Sequence, residues 1–174
     1  MFKKIFKKFC TCVVFSSISV GLLFAIFLSP SALAQVPVTA NPDHKALLAS
    51  KDPKLAANKK LVYDFWREVF EAGHTELAPK YITENYIQHN PNVATGRDAF
   101  IAFVSKVKKT QDITDKVLKP LVAITAEDNL VILTFVSEVK APKDATKTYT
   151  TTWFDMFRIE NGKIAEHWDN MLKL

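Results

Sequence analysis

Apolar residues recur along this chain in two rhythms, and the change of rhythm divides it. Leu61, Val62, Phe65, Trp66, Val69 and Phe70 fall three and four apart, the spacing that lays one apolar stripe along a helix. Asp52-Pro53 precedes the run as a start signal, an acid that caps and a proline at the first helical position. Gly73 follows it as a stop. Thr75 is expected to cap a short second helix, ELAPKYI, which runs into Tyr86-Ile87-Gln88-His89-Asn90-Pro91-Asn92. That last stretch is too polar for core, and its Asn-Pro step disfavours helix, so it reads as a loop. Thr95 with Asp98 three residues on resembles a capping box, and Phe100, Phe103, Val104 and Val107 give a third helix its buried side.

After Asp112 the rhythm shortens. KVLKPLVAITAE, NLVILTFVSEVKA, KTYTTTWFDMFRIE and KIAEHWDNML are rich in Val, Ile, Thr and aromatics and read as four antiparallel strands. Glu127-Asp128-Asn129 and Asn161-Gly162 are tight turns between them. Helices first and strands afterwards predict an α+β domain, three N-terminal helices packed on one face of a strongly curved antiparallel sheet. A sheet that curls round a helix leaves a pocket at its open end, where polar groups can be kept from water.

Composition changes the picture mainly at the N-terminus. MFKKIFKKF carries four lysines and no acid, Cys12 to Leu28 is an apolar run, and Ser29 to Ala34 ends in Ala-Leu-Ala. This is the order of an export signal cleaved after Ala34, or, if kept, of a membrane anchor. The expected division is a signal peptide at 1–34, a flexible linker at 35–52 and one domain at 53–174. The chain's two cysteines, Cys10 and Cys12, fall in the leader, so the exported part has neither disulfide nor thiol nucleophile and depends on its core. The net charge of +5 also falls away with the leader, because losing four lysines leaves 19 basic against 18 acidic residues, a balance of +1. A nucleic-acid partner is therefore not expected. The four histidines show no ligand spacing and the four glycines no phosphate- or dinucleotide-binding fingerprint, so neither metal nor cofactor is expected.

Alternation also nominates chemistry. Along KIAEHWDNM, His167 and Asp169 share a face with Ala165 and Met171, while Glu166, Trp168 and Asn170 take the other. Along the preceding strand, Asp155 shares a face with Trp153 and Phe157. An acid flanked so is drawn from solvent, and a desolvated acid is a functional candidate. Trp66, Tyr86 and Trp153 are expected to line the pocket as aromatic walls.

YIQHNPNVATGRDAFIAFV (Tyr86 to Val104) and FDMFRIENGKIAEHWDNM (Phe154 to Met171) resemble the SnoaL-like polyketide cyclase branch of the nuclear transport factor 2-like superfamily, over residues 55 to 174. The resemblance implies a cone of strands around a pocket, often a homodimer through the sheet's outer face. It also implies aldol ring closure without metal or cofactor. It makes Asp169 the general acid/base and sets His89, in the Tyr-x-x-His-Asn-Pro loop, to polarise a carbonyl oxygen. His167 either orients Asp169 or is a packed strand histidine. Asp155 departs from the founding enzymes, which carry a histidine near this position. Paired with Asp169, it would force one carboxyl to stay protonated and donate. The expected function is that of an exported acid/base enzyme on a small apolar carbonyl compound. The alternative is a non-catalytic ligand-binding or interaction module on the same fold.

Overall fold

The computed structural model describes residues 36–174, so the expected leader, its cysteines and its cleavage site lie outside the described residues. Helix α1 (His44–Leu48) and helix α2 (Pro53–Phe65) come first. Asp52 caps α2 as its composition requires, its carboxylate accepting from the N–H groups of Lys54 and Leu55 behind Pro53 at the first turn. The expected linker is not loose where it is described. Asp43 caps α1, Asn41 N–H bonds the Leu121 carbonyl, and His44 Nδ1 lies 2.7 Å from the Tyr63 hydroxyl.

Helix α2 runs on as a π-helical stretch, Trp66–Glu71. There the i→i+5 pitch sets Glu71 under Trp66, and the indole Nε1 donates to Glu71 Oε1 at 3.1 Å. Gly73 ends the run at φ +76°, where a side chain would meet the Lys109 carbonyl at 3.1 Å. A 3₁₀ turn (Thr75–Leu77) and helix α3 (Ala78–Tyr81) follow. Thr75 caps neither; its hydroxyl bonds Ser105. Helix α4 (Arg97–Val107) starts behind Gly96 without a side-chain cap, so the expected capping box is not made. Thr95 instead ties its hydroxyl to the backbone of Gln88.

Five strands form one sheet: β1 (Ile82–Gln88), β2 (Leu121–Glu127), β3 (Leu130–Ala141), β4 (Asp144–Glu160) and β5 (Lys163–Asp169). Their order is β1-β5-β4-β3-β2. The last four are the expected antiparallel strands, and Asn161 and Gly162 both take positive φ in the β4–β5 hairpin. Strand β1 is the difference. It occupies part of the expected second helix and loop, and it pairs parallel with β5, which makes the α+β sheet mixed. Its burial explains why pattern missed it, since only Ile82 and Tyr86 are buried along an otherwise polar edge.

The core fills the space between α2, α4 and the inner sheet face. Phe65 is its hub, with ring centroids 5.5 Å from Phe100, 5.9 Å from Phe157 and 6.2 Å from Tyr81. Val62, Val69, Val104, Leu133 and Ile164 are wholly buried around it. Among the described residues no helix is long and apolar enough to cross a membrane.

Candidate active site

A cavity of about 180 Å³ opens between α2, α4 and the inner face of β4 and β5. A single water needs roughly 10–15 Å³ by the same measure, so the space admits a small organic molecule. Phe65, Trp66, Phe70, Tyr86, Phe100 and Trp153 give it aromatic walls. The three aromatic residues expected there, Trp66, Tyr86 and Trp153, are all present.

Strand alternation delivers its polar end. Asp155 on β4 and Asp169 on β5 are cross-strand partners, and with His167 they face the cavity together. His167 Nε2 lies 3.0 Å from Asp155 Oδ1, and Nδ1 lies 2.8 Å from Gln88 Oε1. The Gln88 amide can be oriented, because its Oε1 also accepts the backbone N–H of Asn90 at 3.0 Å, which can only donate. Nδ1 of His167 must then carry a proton, and its Nε2 shares a second one with Asp155. Of the two roles expected of His167, orienting Asp169 or packing as a hydrogen-bonded strand histidine, its bonds to Asp155 and Gln88 fit the second.

The two acids differ in what holds them. Asp169, half-buried at the mouth, accepts from Asn90 Nδ2 at 2.7 Å and from the Met171 N–H at 2.9 Å, one bond on each oxygen. Asp155 is 3% exposed, and its Oδ2 has no hydrogen-bond partner among the described residues. Leaving a buried carboxylate oxygen unpaired costs about 1–3 kcal/mol or more, so the exception calls for a function. Asp155, His167 and Asp169 each offer a ligand-type atom within 4.8 Å of the others, a cluster that helical ligand spacing does not anticipate. Both nitrogens of His167 are already engaged there.

Tyr86 completes the ring of polar groups. Burial, reinforced by Asp155 and Asp169, pushes its hydroxyl far above the ordinary tyrosine value, so it stays protonated. It accepts from Gln88 Nε2 at 3.2 Å, and among the described residues nothing accepts its own proton.

His89 is placed elsewhere. Gln88 turns inward to His167, so its neighbour turns outward. His89 bonds Glu166 at 2.7 Å and stacks on Trp168 with ring planes 5° apart, on the opposite face of β5. The role expected of it at the carbonyl is not available from there. Sequence reasoning also missed Gln88, Asn90 and Lys119 at the cavity, since no local pattern marks a polar residue that only the fold brings inward.

Several solved structures are similar to the chain. TsrD from Streptomyces laurentii is 19% identical over 70% of this chain and 91% of its own, with a TM-score of 0.44. A candidate polyketide cyclase from Acidithiobacillus ferrooxidans is 16% identical over 70% and 89%, with a TM-score of 0.47. An epoxide hydrolase of the LEH-like type from M. tuberculosis is 9% identical over 67% and 84%, also with a TM-score of 0.47. Curated proteins gave no match. The model of the SnoaL-like polyketide cyclase family matches residues 60–171, a span that holds every group of the cavity described above. The chain belongs to that family.

Proposed function

We propose that the domain is an acid/base enzyme that removes a proton from the carbon beside a carbonyl of a small, largely apolar compound, as aldol-type cyclisation or isomerisation requires. One observation carries this reading: a buried carboxylate oxygen, Asp155 Oδ2, without a partner among the described residues, on the wall of an aromatic-lined cavity. A carbonyl oxygen placed against the Tyr86 hydroxyl would receive its free proton as a hydrogen bond, which stabilises the developing enolate. Asp155 Oδ2 then takes the α-proton. His167, with Nδ1–H fixed by Gln88, adjusts the proton it shares with Oδ1 as Asp155 changes charge. Asp169, expected as the acid/base, has both oxygens occupied. In this reading it supplies negative charge at the mouth while Asp155 moves the proton.

Exchange of the α-protons of phenylacetone into D₂O, followed by NMR, tests the reading. The protein should accelerate exchange. Asp155→Asn should lower the rate by about 10²-fold or more while ligand affinity is kept, and Asp169→Asn should lower it less. Equal loss in the two variants would return the acid/base role to Asp169. A cavity that binds the ketone without exchanging it would instead make the domain a ligand carrier, the reading its aromatic walls favour. Export with cleavage after Ala34 is part of the proposal. N-terminal sequencing of the protein from its host should begin at Gln35, and a start at Met1 would show a retained anchor.

A further inference from the structure

One group on the cavity wall has no task in proton transfer. Lys119 stands on the run into β2, and its backbone N–H donates to Glu71 Oε1 at 2.8 Å. The N–H of Leu118 donates to Oε2 of the same carboxylate at 2.8 Å, which also holds the Trp66 indole. One glutamate on the π-helical stretch thus ties the loop to the aromatic wall. The ammonium group is set among ring faces, with Nζ 4.5 Å from the Phe135 centroid, 5.2 Å from Trp153 and 5.6 Å from Trp66. Nζ has no ion pair or hydrogen bond among the described residues. Trp66, Trp153 and Lys119 line the same cavity as Asp155 and Asp169.

An unpaired lysine in such a place could hold an anionic ligand or act as a nucleophile. The charges decide between them. Two carboxylates line the same small space, so an anion entering it meets repulsion, whereas a cationic intermediate meets attraction. Burial pushes the Lys119 amine below the ordinary lysine value, although Asp155 and Glu71 pull the other way. A desolvated amine in an aromatic pocket is the setting in which lysine attacks carbonyl carbon.

We propose that Lys119 captures the carbonyl compound covalently, its side-chain nitrogen condensing with a ketone or aldehyde to give a protonated imine. This rests on reading the cavity as a carbonyl site. The nitrogen lone pair forms a C–N bond as the carbonyl π pair moves to oxygen, where the Tyr86 hydroxyl stabilises the developing charge until a proton adds. Nitrogen passes one of its protons to the same oxygen, and as its lone pair forms the C=N bond the C–O bond breaks to release water. No oxidant or reductant is consumed. The product is an iminium cation, which the three ring faces hold by cation–π attraction. Its adjacent C–H bonds are far more acidic than those of the free ketone, and Asp155 Oδ2 is the base in the same cavity. Attack of water on the iminium carbon reverses the capture.

The full chain, incubated with phenylacetone and sodium cyanoborohydride and mapped by peptide mass spectrometry, tests this. Hydride from the reagent fixes the imine as a secondary amine. Labelling of Lys119 should run at least tenfold ahead of every surface lysine, and Lys119→Arg, which keeps the charge but cannot condense, should lose at least tenfold in α-proton exchange. Labelling of Lys119 at the rate of surface lysines would overturn the proposal, as would wild-type exchange in Lys119→Arg. Should Lys119→Arg fail to fold, Lys119→Met replaces it, and the wild-type labelling stands without either. Exchange lost in Asp155→Asn but intact in Lys119→Arg would refute the imine and leave the acid/base reading in place. A wild-type protein that neither exchanges nor traps the ketone would end both.

Discussion

At the scale of single residues, the cavity separates proton donors from proton acceptors by what each is already bonded to. Tyr86→Phe removes a cavity hydroxyl proton that no group among the described residues accepts, and leaves the ring packed edge-on against Phe100. It should reduce α-proton exchange by about 10²-fold, the usual loss of an oxyanion donor, with a change in melting temperature of only a few degrees. A large drop in stability instead would make Tyr86 a core residue and nothing more. Outside the cavity, Glu166 is bonded by His89 and Arg158, which in that order hold its carboxyl below the ordinary value of 4.5. A depressed folded value means the stabilisation is complete above the unfolded value and disappears as pH falls through the folded one. The melting temperature of the wild type should therefore fall below about pH 4.5 more steeply than that of Glu166→Gln. Parallel curves would show that the cluster adds nothing to acid stability.

At the scale of elements, two glycines allow backbone strain to be separated from crowding. Gly73 and Gly162 sit at nearly the same φ, +76° and +72°, but an added Cβ meets the Lys109 carbonyl at 3.1 Å in the first case and nothing within 4 Å in the second. Gly162→Ala should lose about 1–2 kcal/mol, the cost of left-handed backbone, and Gly73→Ala should lose more, because the neighbour that must give is backbone. Chemical denaturation checks the order, and equal losses would mean the Lys109 segment shifts freely. These glycines also show what pattern can reach. The stop at Gly73 and the turn at Asn161-Gly162 were legible because each is a local conformational demand. So was the facing of Asp155, His167 and Asp169, which period two dictates. Strand β1 was not, because an edge strand with two buried residues has almost no alternation to read. The outward placement of His89 depended on β1 and was lost with it. Gln88, Asn90 and Lys119 were illegible for the same reason: their neighbours at the cavity are distant in sequence.

For the whole molecule, the inner face of the sheet is committed to core and cavity, and the outer face has still to be accounted for. Strand register aligns Phe154 with Thr134, Met156 with both Ile132 and Trp168, and Ile87 with Glu166. Phe154 is 44% exposed and Ile87 39%, so apolar area reaches solvent across three neighbouring strands, with the His89–Trp168 stack beside it. Exposed apolar patches of this kind mark association surfaces. We propose that a second copy of the chain covers the face, since a sheet meeting its own copy about a two-fold axis presents the same patch from both sides. A stable dimer needs on the order of 1,200–2,000 Å² of total buried surface, so a charge at the patch centre should break it. Sedimentation of the protein at micromolar concentration should give a dimer, and Phe154→Asp a folded monomer. The monomer should keep its α-proton exchange, because every group assigned to the chemistry lies on the inner side of the same sheet. Loss of exchange on dissociation, with circular dichroism unchanged, would show that the outer face holds the cavity in shape and that the two sides of the sheet are mechanically coupled.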